Sequence, residues 1–170
     1  MIRSIIIACC FLVMTNCQID PRIGYSSTTL YPKQYQSVWV PIFGNNTMER
    51  NLEFMLTDAV IKEIQSRTPY RIVGEHIADT QLTGTITSVE LQTISRSRIT
   101  GLDNEVLLNV VIDFEWLDLA GGERIVGKRH FSSSKLFIPS RPSSEPIEIG
   151  QFAVVQQLAS DIVDLMQASW

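Results

Sequence analysis

The sequence predicts an α+β fold in which two helices pack on one face of a mixed four- to five-stranded sheet. Three observations support this class. A β-branched run, an amphipathic stretch and a second β-branched run follow one another between residues 37 and 73, the order of a βαβ unit. Alternating segments between residues 80 and 134 then predict an antiparallel meander, and a second amphipathic stretch follows. We expect a single domain at residues 37–170.

The N-terminal residues 1–16 have the features of a signal peptide. Arg3 supplies a positive start, and the apolar run at residues 5–14 is shorter than the roughly 20 residues that a transmembrane helix needs. The segment Met14-Thr15-Asn16-Cys17 resembles the bacterial lipobox, whose cysteine becomes lipid-modified and N-terminal, although Asn16 stands where that pattern has a small residue. We therefore expect a lipidated Cys17. An ordinary signal peptide with an incidental cysteine is the alternative.

Residues 17–36 are predicted to form a tether between the anchor and the domain. They contain Pro21, Gly24 and Pro32 together with adjacent serines, a composition typical of linkers.

The first part of the domain is predicted to be a βαβ unit. Residues 37–43 indicate a strand, but Pro41 cannot donate to a ladder, so this strand lies at an edge or stops pairing there. Asn46 and Glu49 have the spacing of a helix N-cap and its reciprocal glutamate. The helix should run from about Thr47 to Ser66, with residues 70–73 returning as a parallel strand. Its apolar stripe consists of Leu52, Met55, Leu56, Ala59, Val60 and Ile64.

The second part is predicted to be three antiparallel strands and a helix. The alternation over residues 80–93 changes phase near Thr87-Ser88, which predicts a bulge. Residues 104–119 alternate most clearly, and the turn Ala120-Gly121-Gly122 leads into a partner strand at 123–134. Pro146 is placed in the first turn of the final helix. The stripe of that helix consists of Phe152, Val155, Leu158, Ala159, Ile162 and Met166.

Composition excludes several classes of function. The formal charge is −4, and cleavage after residue 16 would remove Arg3, leaving 13 basic against 18 acidic residues, or −5. Scattered basic residues and a net negative charge argue against a nucleic-acid partner. Cys9, Cys10 and Cys17 all precede the domain, and His76 and His130 are the only histidines. We therefore expect no disulfide, no metal site, no cofactor and no catalytic residues.

Four segments in order resemble the LptE family of outer-membrane lipopolysaccharide-assembly lipoproteins. They are Gly24-Tyr25, Val38–Thr47, Leu52–Ala59 and Ala78–Ile86. Each is a fold-forming pattern, so their order along the chain carries the resemblance. Six residues separate Cys17 from Gly24-Tyr25, where the family often has none, so the tether here is longer.

The resemblance implies a non-enzymatic lipoprotein on the periplasmic face of the outer membrane. Such a domain plugs the large LptD β-barrel, helps that barrel to assemble, and contacts lipopolysaccharide. Because lipopolysaccharide carries phosphates, the contact calls for basic residues near strand ends. We select Arg96 and Arg98 first, and Lys128, Arg129 and Arg141 second. Solvated hairpin charges are the alternative interpretation of all five.

Two other functions stay open at this point. A periplasmic lipoprotein that regulates a cell-wall synthase is the second hypothesis, because the strand that ends in Pro-Ile-Phe-Gly-Asn also resembles such modules. A hydrolase is third: Asp113 and Glu115 lie two residues apart on one strand face, a spacing that could pair carboxylates. An exposed alternating strand face produces the same pattern.

Overall fold

The structure is a computed structural model that describes residues 30–96, 98, 103–138 and 146–167. In these ranges the elements are β1 (Ser37–Trp39), β2 (Gly44–Asn45), α1 (Leu52–Arg67), β3 (Arg71–Ile72), a 3₁₀ turn (Glu75–Ile77), β4 (Thr80–Arg96), β5 (Asp103–Asp118), β6 (Arg124–Phe137) and α2 (Ile147–Leu165). The predicted α+β class is confirmed. The described strands number six because Gly44–Asn45, which directly follows the predicted first strand, forms the short additional strand β2.

The sheet is parallel on one side and antiparallel on the other. Its order is β3-β1-β4-β5-β6, and β2 also pairs with β4. The pairings β1–β3, β1–β4 and β2–β4 are parallel, so the βαβ unit is confirmed. β1 stops before Pro41, as predicted from the missing proline N–H, but it lies between β3 and β4 rather than at an edge.

The first helix begins later than the sequence predicts. It starts at Leu52, and its N-cap is Asn51, which has a left-handed backbone and makes no side-chain cap bond. The Asn45 side chain instead fixes the preceding loop: it accepts from the Thr47 N–H and donates to the Glu53 carboxylate. The predicted Asn46–Glu49 cap is wrong, because Glu49 accepts from Gln151 of α2 and the Asn46 N–H donates to the Ile86 carbonyl.

The meander agrees with its predicted pattern. A register shift lies between Ile86 and Ser88, where the alternation changes phase. The core face of β5 is formed by the predicted residues, all of them buried: Leu108, Val110, Ile112, Phe114 and Trp116. The turn that follows closes with Gly122 at φ +67 and a bond from its N–H to the Asp118 carbonyl.

The two helices run parallel and cover one face of the sheet. Their starts are joined by Gln151 Nε2 and Glu49 Oε2, 3.1 Å apart. Near their ends, Arg67 contacts Ser160 and Asp164. The buried residues of both helices belong to one core cluster with the buried face of the sheet. Phe152 is an exception to the predicted α2 stripe, since 58% of it is exposed and Val154 and Val163 are buried in its place.

Part of the predicted tether packs against the domain. Tyr31 is buried in the core, and the ring of Tyr35 lies 5.7 Å from Trp116. Tyr70 links them: its ring is 5.8 Å from Tyr31, and its hydroxyl donates to the Pro32 carbonyl. Burial holds the pKa of Tyr70 far above its ordinary value, so the hydroxyl stays protonated as a donor. These contacts fix the direction in which the chain enters the domain.

Candidate functional site

The end of the sheet formed by the close of β4, the start of β5 and the close of β6 extends beyond the cover of the helices. We call this region the distal end; it comprises residues 91–96, 98, 103–108 and 135–138. Its strands stay paired out to Arg96 opposite Asp103 and Phe137 opposite Val106. The start of α2 reaches only the edge of this region, where Gly150 lies against Phe137 and Leu108.

Apolar side chains stay exposed at the distal end. Leu91, Ile94 and Leu136 are each 51% exposed and Ile138 is 38% exposed. On the core face of β4, Leu82 and Ile86 are buried whereas Leu91 is exposed. The difference arises because no helix packs over the last residues of this strand. The pairings with β5 place Leu91, opposite the buried Leu108, on the helix face and Leu136, opposite Leu107, on the other face, so both faces of this end expose apolar residues. Exposed apolar residues outside the core of a small domain indicate an interaction surface.

Two of the predicted site residues lie at the same end. Arg96 is the last residue of β4 and is exposed, and Arg98 is exposed in the turn that follows. Asp103 pairs with Arg96 in the ladder between β4 and β5, and the next acidic residue, Glu105, accepts a hydrogen bond from the Ser95 hydroxyl at 3.1 Å. The distal end therefore combines guanidinium groups with exposed aliphatic side chains, as a ligand with both phosphates and acyl chains requires.

Lys128 and Arg129 lie at a different place. They line a shallow groove of about 310 Å³ on the face of the sheet opposite the helices, together with Thr83, Thr85, Asp113, Glu115 and Arg124. Lys128 pairs with Phe114, which pairs with Gly84. Arg96 lies twelve residues farther along β4, about 40 Å at roughly 3.3 Å per residue. The four predicted basic residues that the structure describes thus do not form one site. Arg141 and Cys17 lie outside the described residues.

Asp113 and Glu115, the pair of carboxylates singled out in the sequence, make structural contacts in this groove. Asp113 Oδ1 accepts from the His130 N–H at 2.8 Å, and Glu115 Oε2 lies 3.5 Å from Arg124 Nε. His130 has φ +54, a left-handed conformation at the bulge where β6 shifts register against β5. The carboxylates stabilise this bulge and the neighbouring strand.

Sequence reasoning found the guanidinium groups of the distal end but not its apolar residues. Leu91 continues the predicted core face of its strand, and Leu136 lies beyond the predicted strand at residues 123–134, so the alternation predicts neither as an exposed site residue. Within the described part of the chain, no cluster of three or more histidine, cysteine or acidic residues could hold a metal ion. In the same ranges no helix is long and apolar enough to span a bilayer.

Comparison with known families identifies the chain. The family model described as LptE, lipopolysaccharide-assembly, matches residues 35–169. The chain belongs to the LptE family. This family acts in lipopolysaccharide assembly at the cell envelope and is not an enzyme family. No curated protein matches the chain with significant similarity.

Solved structures share the LptE-like fold at low sequence identity. The PelC dodecamer from Paraburkholderia phytofirmans is 13% identical, with a TM-score of 0.54, covering 81% of this chain and 93% of that one. A protein from Xanthomonas campestris is 9% identical, with a TM-score of 0.58 and coverage of 81% and 84%. A protein from Chlamydia trachomatis is 8% identical, with a TM-score of 0.53 and coverage of 77% and 98%. At these identities the similarity shows the fold alone.

Proposed function

We propose that this LptE-family protein is an outer-membrane lipoprotein, anchored on the periplasmic side through Cys17, that assists the transport and assembly of lipopolysaccharide. It does so by plugging an LptD-type β-barrel and helping that barrel to assemble. The family membership supports this role. The proposed lipid contact rests on one observation: Arg96 and Arg98 lie at the same end of the sheet as exposed aliphatic residues.

The distal end suits an amphiphilic phosphorylated ligand for a physical reason. Arginine binds phosphate oxygens through charge-assisted hydrogen bonds in a planar fork. Leu91, Ile94 and Leu136 offer apolar area that would leave water on contact with acyl chains, at about 25 cal/mol per Å². The groove at Lys128 and Arg129 lacks this combination because it is lined by threonines and carboxylates.

Binding of purified lipopolysaccharide to paired charge reversals tests the site. The double variant Arg96→Glu/Arg98→Glu should weaken binding at least tenfold, since hydrogen bonds to charged groups contribute about 1.5–3 kcal/mol each. The matched control is Lys128→Glu/Arg129→Glu, which makes the same charge change in the groove and should alter affinity less than threefold. Equal losses in both variants would mean that only overall charge matters.

A second experiment distinguishes binding of the phosphates from binding of the acyl chains. Dephosphorylated lipopolysaccharide should bind the native protein and the Arg96→Glu/Arg98→Glu variant equally well. The variant Ile94→Asn/Leu136→Asn should weaken binding of both lipid forms, because both retain acyl chains. If dephosphorylation leaves the difference between native and charge-reversed protein unchanged, the arginines do not bind phosphate.

Co-purification from membranes tests the partner. Recovery of the protein with a large outer-membrane β-barrel would support the plug role. Recovery with a cell-wall synthase in place of the barrel would refute it and favour the regulatory alternative.

A further inference from the structure

The outer edge of β6 is the longest open strand edge among the described residues. β6 has 14 residues and ends the strand order, with β5 on its one paired side, whereas β3 at the opposite edge has only two residues. α2 packs against a face of β6, not in its plane. An open edge presents a row of backbone groups that can pair with a further strand.

Hydrogen bonds near the hairpin identify which backbone groups point outward. The Asp118 N–H donates to Glu123, the residue that precedes β6, and the adjacent Leu119 N–H donates to Asp79, the residue that precedes β4. Because backbone groups alternate in direction along a strand, the even-numbered residues of β5 bond to β6. Their partners on β6 include Phe131, Ser133 and Lys135. The intervening residues Ser132, Ser134 and Leu136 therefore direct N–H and C=O toward the open edge, and all three are exposed.

The regular part of this edge is long enough for strand addition. Register shifts between β5 and β6 are confined to positions before Phe131, so Phe131–Phe137 pairs without interruption. Seven residues extend about 23 Å at roughly 3.3 Å each, the length of an ordinary strand.

The charges on β6 indicate which kind of segment would bind its open edge. β6 contains Arg124, Lys128, Arg129 and Lys135 and no acidic residue, whereas β5 contains five acidic residues and no lysine or arginine: Asp103, Glu105, Asp113, Glu115 and Asp118. Beside the first half of β6, β5 supplies acidic side chains, as in the contact between Arg124 and Glu115, whereas the residues of β5 opposite Phe131–Phe137 carry no charge. A second copy of β6 would instead bring like charges together, which is destabilising across strands.

We propose that the edge of β6 at Phe131–Phe137 binds an extended acidic segment of a partner protein by strand addition. The backbone groups of Ser132, Ser134 and Leu136 supply the ladder. Lys135 within this segment, and Lys128 and Arg129 just before it, select acidic side chains on the incoming strand. This is the β-augmentation mode of peptide recognition, with charge added as the selector.

Three synthetic peptides test the proposal on the purified protein: an alternating Thr-Glu octamer, its Thr-Lys counterpart, and the Thr-Glu octamer with N-methyl groups on alternate amides. The unmodified acidic peptide should slow amide hydrogen exchange at Ser132, Ser134 and Leu136 at least threefold. Ser133 and Lys135, which already bond to β5, should change little. The Thr-Lys and N-methylated peptides should bind at least tenfold more weakly.

A matched pair of variants completes the experiment. Ser134→Pro removes one outward N–H and should weaken binding of the acidic peptide at least tenfold, whereas Ser134→Ala keeps that N–H and should bind normally. Should Ser134→Pro fail to fold, the N-methylated peptide makes the same distinction on the native chain. Equal binding of both acidic peptides would show simple charge attraction and overturn strand addition. Self-association through β6, or no binding at all, would also overturn the proposal. In the second case the basic residues of this edge would serve only to prevent aggregation.

Discussion

Gly84 shows how a single position constrains the packing between the parallel and antiparallel parts of the sheet. A Cβ at this position would lie 2.7 Å from Phe43 Cδ1 and 3.1 Å from the Asp113 carbonyl oxygen, so something must shift. Phe43 has little freedom to do so, because it is buried and its N–H donates to Thr57 Oγ1 at 3.0 Å. The glycine in the family-like segment Ala78–Ile86 is thus required for close packing.

Replacing Gly84 by alanine should lower the free energy of unfolding by about 1–3 kcal/mol, the usual cost of overpacking a core. Gly74→Ala is the matched control, since a Cβ there meets nothing within 4 Å and its φ is −76. That control should change stability by less than about 0.5 kcal/mol. Urea denaturation of both variants measures the difference, and equal effects would contradict the packing argument.

Asp79 should contribute stability that depends on pH. Its carboxylate accepts from the Gln36 N–H at 2.9 Å, from the Ser37 hydroxyl at 2.9 Å and from the Ser37 N–H at 3.0 Å. The Gln36 N–H first, and then the Ser37 hydroxyl, hold the pKa of Asp79 below its ordinary value. A lowered folded-state pKa gives stabilisation that is present above the unfolded pKa of about 4 and is lost as pH falls through the folded pKa.

The comparison of native protein with Asp79→Asn checks this sign. The difference in unfolding free energy should be constant between about pH 7 and pH 5 and should shrink below about pH 4, where the native carboxylate becomes protonated. Denaturant titrations at pH 7 and pH 3 measure it. A difference that stays the same at both values would show that ionisation of Asp79 is irrelevant to stability.

At the scale of elements, Arg67 ties the ends of the two parallel helices together. Its guanidinium contacts Glu63 within α1 and, on α2, donates to Ser160 Oγ at 2.8 Å and to the Asp164 carboxylate. One side chain thus makes several charge-assisted bonds in a partly buried position, which is stronger than an isolated surface pair.

Arg67→Ala should therefore lower the free energy of unfolding by roughly 1–2 kcal/mol. Lys62→Ala is the control: the Lys62–Asp58 pair is within one helix and its side chains are 70% and 63% exposed, so its loss should cost less than about 0.5 kcal/mol. Thermal or urea unfolding gives both values. Arg67 would have no bridging role if the two variants lost the same amount.

At the scale of the whole molecule, the proposed anchor at Cys17 would determine how the domain is oriented relative to the membrane. The ordered contacts of Tyr31 and Tyr35 attach the chain to the base of the sheet, around Tyr70 and Trp116. The distal end is formed by the opposite ends of β4, β5 and β6. An anchored domain would consequently present Arg96 and its apolar neighbours away from the point where the tether enters.

Intact mass of the protein extracted from membranes tests the anchor. We expect a mature chain that begins at a lipid-modified Cys17, and we expect Cys17→Ser to release the protein from the membrane fraction. A mature chain that begins at another residue and carries no lipid would refute this anchor while leaving the family assignment intact.

The sequence by itself determined the order of elements, the class of the fold and most of the core. Alternation identified the buried face of β5 and the bulge near Ser88, because side-chain direction in a strand depends only on local backbone period. Family resemblance and the basic residues of the distal end were likewise available from the sequence alone.

Only the tertiary structure decided how distant segments combine. Phe152 has helical spacing yet stays exposed, because the direction of the α2 stripe is set by the elements that pack against it. Lys128 lies far from Arg96, and β6 lies at an open edge of the sheet. Both facts follow from strand order and register, which depend on pairing between segments distant in the sequence. Leu91 differs from core residues in lying beyond the cover of the helices, whereas Leu136 pairs with Leu107 on the face opposite the helices. A local pattern fixes which way a side chain points along its own element, whereas what it then contacts depends on pairing across the whole chain.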